Sequence, residues 1–146
     1  MKMSELRSRR ILESLEAERL EVGRLRRNLK MQEDRCTRTT RKYGDGGGRG
    51  SSGPTAAWDE LADRRRDLEL RERHLRTMEQ QLDGWIGLLP KPRWQAVLRS
   101  RYMDGLNFTE VLEELEQNTG RPFSHAQIYN LHRQALFAAE RLWPMS

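Results

Sequence analysis

The sequence predicts an all-α protein: a long antiparallel helical hairpin with coiled-coil character, followed by a C-terminal three-helix domain. The composition, 36% hydrophobic and 34% charged, is too polar for one compact globule and is typical of long solvated helices. The last third of the chain instead holds short apolar-striped segments separated by glycine and proline. A seven-residue leucine repeat, typical of coiled coils, precedes them at Leu61, Leu68, Leu75, Leu82 and Leu89.

The first predicted element is an amphipathic helix over residues 1–36, which only Gly23 interrupts. Up to Lys42 the chain carries 13 Lys and Arg residues against 7 Asp and Glu residues. This surface is therefore either a solvated helix face with a basic end or a surface that contacts phosphates. The apolar side of the helix is marked by Ile11, Leu15, Val22, Leu25 and Leu29.

Residues 37–55 are expected to form a linker, because six glycines lie between Gly44 and Gly53. Gly48, Gly50 and Gly53 match the G-x-G-x-x-G string of nucleotide-binding loops. No strand precedes this string and no P-loop lysine follows it. We therefore expect a flexible connection and no nucleotide site.

The second long helix is predicted over residues 56–89. Its leucine seam has Arg64 and Arg71 at the partner positions of its first half, and Met78 and Trp85 in its second half. The two long helices have similar lengths and a long linker joins them, so they can fold back as an antiparallel pair. The alternative is that the leucine seam forms a homodimer.

Residues 90–146 are predicted to form a compact helix-turn-helix domain. Pro92 suits the first position of a helix, Asn107 and Ser124 each begin a capping box, and Gly120 ends the middle helix. Three short helices joined by tight breaks, the last with a polar outer face, are typical of this motif. The apolar stripe expected on the last helix consists of Ile128, Leu131, Ala135, Ala138 and Leu142.

The stretch from Leu88 to Leu136 resembles region 4 of sigma-70-type factors. It is more similar to small phage and prophage transcription regulators of the autolysin-regulatory (ArpU-type) group. The resemblance implies a DNA-binding transcription regulator that acts at promoters. The interval from Leu115 to Ser124 is longer than in that group, which predicts either a different angle between the two helices or a longer first helix. The motifs that carry the resemblance are Leu89-Pro90, the run from Val97 to Phe108, and the run from Ser124 to Leu136.

The resemblance places candidate DNA contacts on and just before the last helix. Asn130 and Arg133 are expected to contact base edges, because Asn can pair with adenine and Arg with guanine through two hydrogen bonds each. Arg121, Ser124 and His125 are expected to hold phosphates. The alternative for this surface is an ordinary solvated helix face.

Four further side chains have more open roles. Gln127 matches an outward position, whereas Tyr129 is expected either to stack on the sugar-phosphate backbone or to pack against Phe123. His132 lies at the shoulder of the apolar stripe and is expected to be structural. Arg101 is expected to form a structural ion pair with a glutamate.

No catalytic, cofactor or metal site is expected. The three histidines are scattered, and Cys36, the only cysteine, has no paired base nearby in sequence. One cysteine excludes an internal disulfide and a four-cysteine zinc site, and suits a reducing cytoplasm. No apolar run is long enough to span a bilayer, and the first residues lack the apolar core of a signal peptide.

The expected partner is double-stranded DNA, and RNA polymerase is a further candidate. A homodimer through the coiled coil is another candidate, whereas no contact with a membrane is expected. Two other classes stay open: a phage terminase small subunit, which also combines helix-turn-helix and coiled-coil parts, and a structural coiled-coil adaptor. The C-terminal domain has 7 Lys and Arg residues against 6 Asp and Glu residues. The net charge of this domain therefore does not discriminate between these classes of protein.

Overall fold

The computed structural model describes residues 1–43 and 53–145, with side chains for residues 1–38 and 56–145. Within these ranges the chain is helical and contains no strand, which confirms the all-α class. It divides into two compact units, one of residues 1–17 with 76–146 and one of residues 18–75. The helices are α1 (Arg7–Tyr43), α2 (Gly53–Ile86), α3 (Pro92–Leu98), α4 (Phe108–Thr119) and α5 (His125–Leu142).

Both long helices extend into the segment expected to be a linker. α1 continues to Tyr43, because residues 37–43 contain neither glycine nor proline. α2 begins at Gly53. Pro54 lies in the first turn of α2, where its missing N–H is not needed for a helical hydrogen bond. The rest of the expected linker, which includes Gly48 and Gly50, lies outside the described residues. None of the described helices is long and apolar enough to cross a membrane.

The leucine repeat forms buried contacts in the unit of residues 18–75. Leu61, Leu68 and Leu75 are at most 8% exposed in the single chain. Leu68 lines a shallow groove together with Leu25 and Leu29 of α1. Burial of a leucine side chain contributes about 1.5–3 kcal/mol, so these three leucines together stabilise the unit.

Ion pairs link α1 and α2 in the same unit. Arg71 lies 3.0 Å from Glu18, and Arg65 lies 3.0 Å from Glu33. Later residues of α1 therefore pair with earlier residues of α2. Exposed pairs of this kind contribute at most about 1 kcal/mol each, so they specify the pairing more than they stabilise it.

α3, α4 and α5 pack around one apolar cluster in the other unit. Its buried centre consists of Val97 from α3, Val111 and Leu115 from α4, and Ile128 from α5. Because each helix contributes to this cluster, each has one side turned inward and one side turned to solvent. The partly buried residues around the centre are Ala96, Leu106, Phe108, Leu112, Phe123 and Leu131.

The apolar stripe predicted for α5 is wrong at its end. Leu142 is 49% exposed, whereas His132, Leu136 and Ala139 are buried. The buried side of α5 is broader than the stripe because the first turns of α1 also contact it. The Ser8 hydroxyl donates to the carbonyl of Leu136 at 2.8 Å, a contact that helical periodicity could not reveal.

The predicted helix starts are confirmed at α4 and α5. The Asn107 side chain accepts from the backbone N–H of Glu110 at 2.9 Å, and the Glu110 carboxylate accepts from the backbone N–H of Asn107 at 3.1 Å. Ser124 and Gln127 form the same reciprocal pair at 3.2 and 2.8 Å. Two otherwise unpaired backbone donors are thus satisfied at the start of each helix.

The first part of the interval between Leu115 and Ser124 is helical. α4 continues past Leu115 to Thr119, and Gly120 then takes a φ of +67°. This left-handed conformation favours glycine, since a Cβ would crowd the following carbonyl. Four residues, 121–124, then connect Gly120 to the first turn of α5.

Candidate functional site

The predicted site residues lie on one accessible stretch, the start of α5 and the turn before it. All of them are exposed. On the opposite side of the helix, Ile128 is fully buried in the three-helix cluster and holds α5 with this surface outward. The structure therefore brings together Arg121, Ser124, His125, Gln127, Tyr129, Asn130 and Arg133.

His125 and Tyr129 lean toward the start of α4. His125 Nε2 lies 3.3 Å from Thr109 Oγ1, within hydrogen-bond distance. The Tyr129 ring packs edge-on against Phe108, with 4.9 Å between centroids, and remains 51% exposed. The aromatic contact of Tyr129 in the fold is thus with Phe108, at the start of α4, whereas its proposed stacking on a sugar-phosphate backbone stays a prediction.

Cations without an ion pair lie around α5, as they do at some positions of the long helices. In the long helices, arginines such as Arg65, Arg71 and Arg26 form ion pairs with glutamates. Within the described part of the chain, five cations near α5 have no carboxylate partner. Their charge is therefore available to an external anion. They are Lys91, Arg93, Arg121, Arg133 and Arg141.

A shallow groove, here named the α3–α5 groove, runs between these two helices. Its centre is Trp94, whose Nε1 donates to the side-chain oxygen of Gln134 at 3.2 Å. Two concavities of about 420 and 410 Å³ lie beside this contact and share both residues. One is completed by Lys91, Pro92, Arg93 and Leu131, and the other by Asn130, Arg133, Phe137 and Arg141.

Aromatic rings position two cations of the groove. Lys91 Nζ lies 4.7 Å from the centroid of the Trp94 ring, and Arg133 Cζ lies 5.7 Å from that of Phe137. Cation–π contacts at exposed sites contribute about 0.5–1 kcal/mol. They also restrict long side chains before binding, so less conformational entropy is lost when a ligand orders them.

Most residues of the groove were not predicted from the sequence. Lys91, Arg93 and Trp94 belong to the start of α3, about 30 residues before the start of α5. Their proximity to α5 arises only from packing. The two basic residues that flank Pro92 and precede Trp94 were a local signal that could have pointed to this surface.

Behind the site, Tyr102 and His132 form a buried pair. The Tyr102 hydroxyl lies 2.8 Å from His132 Nε2. Burial, with the positive charges of Arg101 and Arg9 adding to it, lowers the pKa of His132 to about 4. Burial also raises the pKa of Tyr102 to about 12. Near neutral pH both groups are uncharged and share one hydrogen bond, so the structural role predicted for His132 is confirmed.

Arg101 forms the ion pair expected from the sequence. Its guanidinium pairs with the carboxylate of Glu16 in α1 and lies over the rings of Tyr102 and Phe108, 5.2 and 5.3 Å from their centroids. This pair fixes the first turns of α1 against the C-terminal helices. Arg101 is thereby occupied inside the fold, consistent with the structural role.

Among residues 1–43 and 53–145, no group of three or more His, Cys, Asp or Glu side chains is arranged to hold a metal ion. Comparisons with protein-family models, curated proteins and solved structures found no match to this chain.

Proposed function

We propose that the protein is a sequence-specific DNA-binding regulator of transcription, of phage type and similar to sigma region 4. The observation that carries the proposal is the outward surface of α5, where exposed polar side chains adjoin cations that lack carboxylate partners in the described chain. A polyanion with hydrogen-bonding edges in its grooves complements such a surface.

In this proposal α4 and α5 act as a helix-turn-helix, and the first turns of α5 enter a major groove. A major groove about 12 Å wide admits one α-helix. Asn130 and Arg133 then contact base edges, while Arg121 and His125 contact phosphates on the flanking strand. The buried Ile128 keeps α5 at a constant orientation, as recognition of base edges requires.

The paired segments of α1 and α2 would form the antiparallel arm of this regulator. The burial of Leu61, Leu68 and Leu75 within one chain favours this hairpin over a leucine-zipper homodimer. Leu20 and Leu70, which are 75% and 60% exposed, are candidates for contact with RNA polymerase. The proposed DNA-binding activity does not depend on that contact.

The first test is to capture fragmented host and phage DNA with the purified full-length protein at two salt concentrations and to sequence the bound fragments. Enrichment of one short motif upstream of genes, with binding that weakens but keeps its preference at higher salt, is the expected result. Failure to retain any DNA at low salt would refute the proposal. Enrichment of a genome-packaging site would instead favour a terminase small subunit.

The second test uses Asn130→Ala on the enriched motif. Loss of a bidentate base contact costs about 1–3 kcal/mol, and we expect this loss on the motif but not on a shuffled duplex. Arg76→Ala, which removes an exposed cation of α2, is the control and should leave the affinity for both duplexes unchanged. If Arg133→Ala weakens binding equally on both duplexes, Arg133 contacts the backbone and its assigned role in contacting bases is wrong.

A further inference from the structure

We propose that the α3–α5 groove binds the sugar-phosphate backbone of duplex DNA, which extends the protein's contacts beyond the turns of α5 that face the bases. This inference rests on the proposed function, because it assumes that α5 lies against DNA. It adds Lys91, Arg93 and Arg141 to the interface. None of these three was a predicted contact.

The charge of the groove is the first argument. Lys91, Arg93, Arg133 and Arg141 line it, and none of its lining residues is acidic. None of the four has an ion-pair partner in the part of the chain that the structure describes. Lys91, Arg93 and Arg141 thus complement a line of phosphates beside the base-contacting Arg133, and each neutralised phosphate releases a counterion.

Continuity with α5 is the second argument. Asn130 and Arg133, the two predicted base contacts, also line the concavity that contains Phe137 and Arg141. A duplex whose base edges reach these two side chains would therefore lie beside the groove. An acidic protein segment would also complement the charge, but nothing would require it to contact Asn130, whereas duplex DNA presents bases and backbone together.

The preformed arrangement of the cations is the third argument. Besides the contacts of Lys91 and Arg133 with rings, Arg93 Cζ lies 5.6 Å from the centroid of Phe123. Three of the four cations are thus restrained by aromatic rings before any ligand binds. Phosphate recognition benefits from this restraint, because long cationic side chains otherwise lose considerable rotamer freedom on binding.

The test is a triple substitution, Lys91→Ala, Arg93→Ala and Arg141→Ala, in the full-length protein. All three side chains are exposed, and Lys91 makes no side-chain capping bond to α3, so the helices should be retained, as circular dichroism can verify. The matched control removes three exposed arginines from other helices and has the same net charge. It carries Arg64→Ala, Arg66→Ala and Arg76→Ala, which all lie in α2 and outside the basic surface of the first helix.

Affinity is measured on the preferred duplex and on a shuffled duplex between 50 and 200 mM salt. Loss of three phosphate contacts should reduce the salt slope by about 2.7, so the wild type should lose about 40-fold more affinity than the groove variant over this range. The groove variant should bind both duplexes more weakly than the control variant does, and by the same factor.

Three results would overturn the inference, and they are distinguishable from one another. Equal affinities and salt slopes for the groove and control variants, with wild-type DNA binding intact, would refute the groove contact and leave the role of α5 standing. Weakening confined to the preferred duplex would mean base contact and would refute the backbone assignment. Absence of wild-type DNA binding would refute the proposed function and this inference together.

Discussion

The buried pair of Tyr102 and His132 predicts that the C-terminal helices lose stability in mild acid. Burial holds the pKa of His132 at about 4, below its ordinary value of 6.5. Between these two values the unfolded chain binds a proton at this position that the folded chain excludes. The free energy of unfolding therefore falls as the pH falls from about 6.5 toward 4, which is the direction that linkage requires.

The size of the effect follows from the same two pKa values. A difference of one pKa unit corresponds to about 1.4 kcal/mol, and between pH 7 and pH 5 His132 should remove about 2 kcal/mol of stability. Charging the ring would also place a cation beside Arg101 and Arg9. The negative charge of Glu13 offsets this repulsion only in part, because its effect on His132 is smaller than that of either arginine.

Urea unfolding followed by tryptophan fluorescence measures this effect, since three of the four tryptophans lie in the unit that contains His132. His132→Gln keeps an acceptor for the Tyr102 hydroxyl but cannot be charged, so its stability should change by about 2 kcal/mol less than that of the wild type over this range. His125→Gln, on the exposed side of α5, should retain the wild-type dependence. An unchanged pH dependence in His132→Gln would refute the reasoning.

Two further substitutions test the backbone and the contact between α1 and α5. Gly120→Ala places a Cβ at a φ of +67° and should cost about 1–2 kcal/mol, whereas Gly84→Ala, in a helix with nothing within 4 Å of the new atom, should stabilise by about 0.5–1 kcal/mol. Thermal unfolding measures the change in stability of each glycine variant, and changes of the same sign in the two variants would contradict the backbone argument. Ser8→Ala removes the side-chain hydrogen bond to the carbonyl of Leu136, which lies inside α5, and should cost about 0.5–1.5 kcal/mol in urea unfolding, while the exposed Ser14→Ala serves as its control and should cost less. Equal costs for the two serine variants would mean that the contact between α1 and α5 adds nothing to stability.

Local signals in the sequence were sufficient wherever a feature depends on neighbouring residues. The capping boxes at Asn107 and Ser124, the end of the middle helix at Gly120 and the buried seven-residue leucine repeat are all present as predicted. Each depends on the chemistry of residues a few positions apart, and short spacing in sequence fixes short distance in a helix. The outward position of Asn130 follows in the same way from the burial of Ile128 on the opposite side of its helix.

Only the tertiary structure decided which distant residues meet. The sequence predicted that Arg101 pairs with a glutamate, but only packing showed that this glutamate is Glu16 of α1. Packing also placed Lys91 and Trp94 beside α5, and it buried Leu136 under Ser8 while Leu142 stayed exposed. Helical periodicity specifies the faces of one helix, whereas the neighbour of each face depends on how all the helices bury apolar surface together.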